Sequence, residues 1–198
     1  MNFFQQLFKS KNYPDFWEAY LKCFKNQSKS GDFVVFDCET TGLNPKKDRI
    51  LSIGAVSVKN KKIKINESLD IYVEQSYFDP KSASVHGITQ ENDFEKLTEE
   101  EAVKLFLSLA KNHTLVGHHV NFDVAMINQA LKRMKLPRLK NKKLDTNEYY
   151  LKKRGIPLEQ RYSLDELCDT FKIPKQDRHT ASGDAFLTAQ ILLKLNEE

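Results

Sequence analysis

Two carboxylates stand two residues apart at the end of a short apolar run early in the sequence. The run Phe33–Phe36 predicts a buried β-strand, which Asp37 and Glu39 extend up to the turn signal Thr41-Gly42. Side chains of a strand alternate between its two faces, so both carboxylates should point to the same side. Two like charges 4 Å apart repel by about 4 kcal/mol at an effective dielectric of ~20, and a bound cation relieves that repulsion. The alternative is one solvated acid beside one helix cap, which the shared face disfavours.

Two further acids stand where helices are predicted to begin. Asp123 follows the short apolar strand Leu115–Gly117 and opens a helix, and Asp184 opens the final helix five residues after His179. Taken alone, an Asp in a first helical turn is typical of a cap, because the helix dipole favours an anion there. In an α/β sheet, however, strand ends and the helices that follow them line one crevice. The ordered set therefore indicates a site of four carboxylates with a histidine beside them.

The elements around these residues indicate an α/β fold. Strands are predicted at 33–39, 49–58 and 63–73, and their short connections imply antiparallel neighbours. Capping boxes at Thr98 and Ser163 begin two of the predicted helices. The remaining predictions are strands at 115–117 and 144–146 and helices at 98–111, 122–134, 163–171 and 182–195. The sum is an antiparallel three-strand unit followed by β-α-β-α, with helices covering a mixed sheet.

The chain length of 198 residues suits one domain with an extension, and we assign residues 1–30 to an N-terminal helical extension and 31–198 to the domain. Pro14 can begin a helix with an aromatic stripe that includes Phe16, Tyr20 and Phe24, and Ser28–Gly31 is predicted to be a linker. The stripe packs on its own domain or docks a partner, and the sequence leaves both possibilities open.

No apolar run approaches the ~20 residues that cross a bilayer, and Gln and Lys come too early at the N-terminus for a signal-peptide core. We therefore expect a cytoplasmic protein without membrane contact. Residues 132–154 carry ten Lys and Arg against two acids, a local +8 in a chain of net charge +4. A basic stretch near an acidic site suits a polyanion held by its phosphates, and a solvated face explains the charge equally well.

Three motifs occur in a fixed order along the chain. They are Asp37-Cys38-Glu39-Thr40-Thr41-Gly42-Leu43, the segment His118 to Asp123, and His179-Thr180-Ala181-Ser182-Gly183-Asp184. In this order they resemble the motifs of the DEDDh exonucleases, the family of the proofreading epsilon subunit of bacterial replicative DNA polymerase. Two further segments, Val85 to Thr89 and Tyr162 to Cys168, are also similar to the family, and the resemblance covers about residues 32 to 195.

The resemblance implies a ribonuclease H-like fold with a mixed five-stranded sheet, and two divalent metal ions, Mg²⁺ or Mn²⁺, which suit an all-oxygen ligand set. By analogy Asp37 bridges both ions, Glu39 and Asp184 hold the first, and Asp123 holds the second. His179 would act as the general base on the attacking water, and the product would be a nucleoside 5′-monophosphate from a 3′ end. An imidazole accepts a proton only when it is neutral, so we expect activity to fall on acidification.

The resemblance also implies contacts with the substrate. Thr40 and Thr41 would meet the terminal nucleotide, and Leu43 and Phe122 would wedge against or stack on the last two bases. The same cleft would be lined by His118, Val85 and His86. For Leu43 and Phe122, packing in the core is the alternative.

The leading hypothesis is a metal-dependent 3′→5′ exonuclease acting on single-stranded or frayed DNA ends in proofreading or repair, with a DNA polymerase subunit as a candidate partner. A 3′→5′ exoribonuclease on the same scaffold is the second, because the chemistry at phosphorus is shared and only a partner for the 2′-OH separates the two. A non-catalytic polymerase-associated subunit that binds DNA ends is the third, and the intact acid set with His179 argues against it.

Overall fold

The apolar runs predicted as strands form a mixed sheet flanked by helices. A computed structural model describes residues 13–25 and 32–197 of the chain. The strands are β1 (Phe33–Thr40), β2 (Ile50–Lys59), β3 (Lys62–Val73), β4 (Lys96–Leu97), β5 (Thr114–Gly117) and β6 (Lys143–Asp145). The helices are α1 (Asp15–Cys23), α2 (Pro80–His86), α3 (Glu99–Ala110), α4 (Val120–Arg133), α5 (Thr146–Arg154), α6 (Leu164–Phe171) and α7 (Ala181–Glu197). Within these residues, no helix is both long enough and apolar enough to cross a bilayer.

The order of the strands brings the predicted site residues to one edge of the sheet. The order is β4-β3-β2-β1-β5-β6. The pairs β1–β2 and β2–β3 are antiparallel, and the pairs β3–β4, β1–β5 and β5–β6 are parallel. Short turns explain the antiparallel half, and α4 provides the crossover that the parallel pair β5 and β6 requires. Because the carboxyl ends of parallel strands meet at one edge, the ends of β1, β5 and β6 lie together there.

The two faces of the sheet are covered by different helices. Phe36 on β1 packs toward α3, with its ring centroid 4.9 Å from that of Phe106. Val35, which points to the opposite face, belongs to an apolar cluster that includes Ala189 and Leu192 of α7. Since side chains alternate along β1, the next residues on the α7 face are Asp37 and Glu39. The predicted mixed sheet with flanking helices is confirmed.

Several short elements were not predicted. The sheet has a sixth strand, β4, which pairs with β3 over only two residues and is too short to show an alternating pattern. Helices α2 and α5 were also missed. Thr146, which we expected to be the last residue of a strand, is instead the first residue of α5, because the Asp145 carboxylate accepts the N–H groups of Asn147 and Glu148 and caps the helix.

The aromatic stripe of α1 packs on the chain's own domain. Trp17 is fully buried in the core formed with α3 and α4. The hydroxyl of Tyr20 donates to Oδ1 of Asn141 at 2.7 Å and accepts the backbone N–H of Lys140 at 2.8 Å, and burial raises the pKa of Tyr20 to about 12. Residues 1–12 and the linker predicted at Ser28–Gly31 lie outside the described residues, so the boundary at residue 30 stays a prediction.

Candidate active site

Three of the four predicted carboxylates lie together at the edge where β1 ends. Asp37 and Glu39 extend from the α7 face of β1, and Asp184 lies in the first turn of α7. One oxygen from each carboxylate can be chosen so that all three lie within 4.8 Å of one another. The alternation of β1 explains why Asp37 and Glu39 share a face, and the packing of α7 adds Asp184 from 145 residues further along the chain.

Gly54 of β2 allows α7 to approach the sheet this closely. Gly54 is the register partner of Asp37, so a side chain at Gly54 would stand on the same face of the sheet. A Cβ atom there would lie 2.1 Å from the carbonyl carbon of Ala181 and from the backbone nitrogen of Ser182. An isolated Gly within a strand is a sign of close backbone approach. The lone Gly54 within an apolar strand was therefore the signal in the sequence for this approach, and it is not among the predicted site residues.

The fourth carboxylate, Asp123, reaches the end of β1 from α4 rather than from α7. It is buried in the first turn of α4, and its Oδ1 accepts the backbone N–H of Cys38 at 3.1 Å. The start of α4 is held by Asp145, whose Oδ2 accepts the N–H of Val120 at 2.9 Å. Asp145 therefore links the first turns of α4 and α5 at the site. No spacing pattern in the sequence distinguishes Asp145, which is buried, from acids that are merely solvated.

Burial and mutual repulsion raise the pKa values of Asp37, Glu39 and Asp123. Burial, followed by the charges of Asp123, Glu39 and Asp184, raises the pKa of Asp37 well above its ordinary value. Burial and the Asp184 charge raise the pKa of Glu39 to about 7. Burial is also the main reason that the pKa of Asp123 is raised to about 8. The guanidinium of Arg178 opposes these effects at Asp37 and Glu39.

This donor set fits a hard divalent cation. Asp37, Glu39 and Asp184 offer only carboxylate oxygens, the ligands that Mg²⁺ and Mn²⁺ prefer. The raised pKa values of Asp37 and Glu39 come first from burial and then from the negative charge of neighbouring carboxylates, and a cation would relieve that repulsion. The three residues are therefore the ones that would hold a metal ion.

His179 lies on the loop that leads into α7. Its side chain is exposed, and its backbone has a φ of 62°, in the left-handed region. The loop folds back on α7, where the Thr180 carbonyl accepts the N–H of Asp184 at 2.9 Å. A Cβ at Gly183 would lie 2.0 Å from the carbonyl oxygen of Asp177, so this glycine is needed for the loop to pack there. Arg178, which our sequence analysis missed, donates to the carboxylates of Asp165 and Asp184.

A cleft of about 460 Å³ opens beside the carboxylates. Its lining includes Glu39 together with the predicted residues Thr40, Leu43, Val85 and His86. Leu43 is 87% exposed and Val85 is 57% exposed, so neither is part of the core. These two apolar side chains give the cleft a surface on which a flat ring could pack.

The other three predicted contact residues, Thr41, Phe122 and His118, have different surroundings. The hydroxyl of Thr41 donates to Asp48 at 3.2 Å and accepts the N–H of Arg49 at 3.0 Å, so it serves the turn after β1. Phe122 is half-buried against the core and lines a separate hollow of about 280 Å³ together with Arg161. Contact of Thr41 and Phe122 with a substrate stays a prediction.

His118 is engaged at both ring nitrogens. Nε2 lies 2.8 Å from the carbonyl oxygen of Tyr162, and Nδ1 lies 3.0 Å from Oγ1 of Thr146. A carbonyl can only accept, so Nε2 carries the proton, and Nδ1 accepts from the Thr146 hydroxyl because burial lowers the pKa of His118 to about 4. The ring therefore ties the end of β5 to α5 and to the segment before α6. A role for His118 at the substrate stays a prediction as well.

Comparison with known proteins places this site in a family. A family model for exonucleases, RNase_T, matches residues 34–192. The DNA polymerase III subunit epsilon of Aquifex aeolicus is 32% identical over 169 residues, which are 85% of this chain and 82% of that protein. A PolC-type DNA polymerase III of Caldanaerobacter subterraneus subsp. tengcongensis is 37% identical over 172 residues, and there the matched part of the chain spans 86% of its own length and only 12% of the relative's.

Solved structures share the fold at lower identity. E. coli exonuclease I in complex with a dT13 oligonucleotide gives a TM-score of 0.70 at 21% identity, covering 84% of this chain and 41% of that one. Exonuclease X in complex with 5′ overhanging duplex DNA gives a TM-score of 0.65 at 22% identity, covering 83% and 91%. These similarities support a ribonuclease H-like fold for the sheet and helices described above. The family model and the sequence relatives show that the chain belongs to the RNase_T exonuclease family and is similar to DNA polymerase III epsilon subunits.

Proposed function

We propose that this protein is a metal-dependent 3′→5′ exonuclease that removes nucleoside 5′-monophosphates from single-stranded or frayed DNA ends. The observation that carries the proposal is the group of three carboxylate oxygens within 4.8 Å at the edge of a cleft with exposed apolar walls. The relatives named as DNA polymerase III subunits, and the neighbours solved with DNA, support DNA as the substrate and a polymerase as a partner.

In this proposal Asp37, Glu39 and Asp184 are the residues that would hold one divalent ion, Mg²⁺ or Mn²⁺, and Asp123 with Asp37 would hold a second. When bound, such ions stabilise the charge that develops on the phosphodiester oxygens. Carboxylates must be ionised to hold such ions, and the raised pKa values of Asp37, Glu39 and Asp123 mean that binding of the ions would release protons. Asp123 keeps its position because the Cys38 N–H and the start of α4 fix it.

His179 supplies the general base. Its imidazole is exposed on the loop that leads into α7, five residues before Asp184, and this position supports the role. It takes the proton of the attacking water, which leaves a hydroxide to attack the phosphorus of the last phosphodiester. The bond between that phosphorus and the 3′-oxygen of the preceding nucleotide breaks, and this oxygen takes up a proton and leaves as the new 3′-hydroxyl. The side chain is exposed rather than packed in the core, so water has access to the ring.

The cleft selects an unpaired terminal nucleotide. Leu43 and Val85 contact the faces of the last base, and Thr40 lies at the sugar. Stacking of this kind contributes about 1–3 kcal/mol per base and tolerates any sequence. The basic residues at the end of α4 act farther away, since Lys132 stands nine residues after Asp123, or about 14 Å along the helix axis. They suit phosphates upstream of the cleaved end.

The test is a time course on 5′-labelled single-stranded DNA and on RNA of the same sequence, each with Mg²⁺, Mn²⁺ or EDTA. We expect a ladder that shortens from the 3′ end of DNA, requires the metal and is abolished by Asp37→Asn. The matched control is Asp32→Asn. Asp32 precedes the same strand at its other end, five residues or about 17 Å from Asp37, and should be dispensable.

The outcomes separate the parts of the proposal. A ladder on RNA alone would refute the DNA substrate and retain the hydrolysis. Shortening from the 5′ end would refute the polarity. Equal absence of cleavage in the wild type and in Asp37→Asn would refute the catalytic site and favour a subunit that only binds DNA ends.

A further inference from the structure

Arg178 is shared between the carboxylate group and a residue outside it. Its Nε–H donates to Oδ1 of Asp165 in α6 at 2.8 Å, and its Nη1 donates to Oδ1 of Asp184. The Arg178 side chain is 18% exposed and that of Asp184 is 12% exposed, so their ion pair is shielded from water. Asp165 is 45% exposed and accepts from the Nε and Nη2 edge of the guanidinium.

The pairing occupies a carboxylate that belongs to the proposed metal site. Asp184 is one of the three residues that offer an oxygen within 4.8 Å of the others. A divalent ion at that position and a guanidinium on the same carboxylate repel each other at close range in a partly buried setting. The Arg178 charge also lowers the pKa of Glu39, so it already compensates part of the negative charge that the ion would compensate.

We propose that Arg178 is a positioning residue that acts as an internal counter-ion of Asp184 and is displaced by the incoming divalent ion onto Asp165. The inference rests on the proposed metal site and assigns a role to Arg178 and Asp165 within it. Arg178 immediately precedes His179, so its transfer to Asp165 couples occupation of the site to the position of the loop that carries the proposed base. Arg suits this task because its planar fork can engage two carboxylates at once.

The test measures Mn²⁺ and Mg²⁺ binding to the protein by calorimetry in the absence of nucleic acid. Arg178→Gln removes the competing cation, so we expect the affinity for the ion to rise on the order of tenfold, the size of one charged hydrogen bond to a shielded carboxylate. The matched control is Lys175→Gln, which removes the same charge from the same loop. Lys175 pairs with Asp169 outside the carboxylate group, so this variant should bind the ion within about twofold of the wild type.

A second pair of variants keeps the inference testable if Arg178→Gln does not fold. Asp165→Asn leaves Arg178 with Asp184 alone and should weaken ion binding several-fold more than Asp169→Asn, which removes an equal charge from the same helix. An affinity of Arg178→Gln equal to or below that of the wild type, or equal effects of the two Asp variants, would overturn the role of Arg178. A wild type that binds neither ion would instead refute the metal site, on which the proposed function depends.

Discussion

Replacing Gly54 with Ala should separate α7 from the sheet and dismantle the carboxylate group while leaving the fold in place. The added Cβ would lie 2.1 Å from backbone atoms of Ala181 and Ser182, which have no flexible end that could yield. The two backbones must therefore move apart by about 1.3 Å to reach the 3.4 Å at which ordinary contact begins. Asp184 lies one turn further along α7 and moves with the start of the helix.

This displacement is large for a metal site and moderate for the fold. Mg²⁺ requires its ligands at about 2.1 Å in near-ideal octahedral geometry, so a shift of more than 1 Å removes Asp184 as a ligand. We expect the affinity for Mg²⁺ to fall by at least about tenfold, the equivalent of 1.4 kcal/mol. The overpacking itself should cost about 1–3 kcal/mol of unfolding free energy, which a domain of this size can tolerate.

Gly155→Ala provides the matched control. Gly155 ends α5 at a φ of 63°, and a Cβ there meets no atom within 4 Å, so the variant introduces backbone strain of about 1–2 kcal/mol without touching α7. Both variants should melt earlier than the wild type, and only Gly54→Ala should lose metal binding and cleavage. A folded Gly54→Ala protein with wild-type affinity for Mg²⁺ would show that the contact of α7 with β2 does not set the site.

Three further predictions concern other parts of the molecule. Because the pKa of Glu39 is raised from 4.5 to about 7, metal-free protein should lose up to about 3 kcal/mol of stability as the pH rises through that interval. Denaturant titrations at pH 5 and pH 8 would detect this, and Mn²⁺ should restore stability mainly at pH 8. Tyr20→Phe should cost about 1 kcal/mol in the same titrations, because it removes the hydroxyl that bonds Asn141 and the Lys140 N–H, and should leave DNA cleavage unchanged. Leu43→Ala should leave the melting temperature unchanged and weaken single-stranded DNA binding about tenfold, and an unchanged binding isotherm would contradict its proposed contact with the terminal base.

The sequence determined the features that depend on neighbours along the chain. Alternation along β1 places Asp37 and Glu39 on one face, because successive side chains of any strand point to opposite sides. The predicted capping boxes at Thr98 and Ser163 are both present, since they need only a residue and its partner three positions later. The α/β class could be predicted for the same reason, because each element carries its own periodicity.

The tertiary structure decided which distant residues meet. No local pattern indicates that Arg178 donates hydrogen bonds to both Asp165 and Asp184. None indicates that the His118 ring forms hydrogen bonds with Thr146 and Tyr162. The contacts of His118 join residues 28 and 44 positions apart, and those of Arg178 join the loop before α7 to α6 and α7, so all of them depend on how these elements pack. The approach of α7 to β2 depends on a missing side chain at Gly54, so its consequence becomes visible only when both backbones are in place. Periodicity along β1 places Asp37 and Glu39 on one face, and packing between elements decides how close Asp123 and Asp184 come to them.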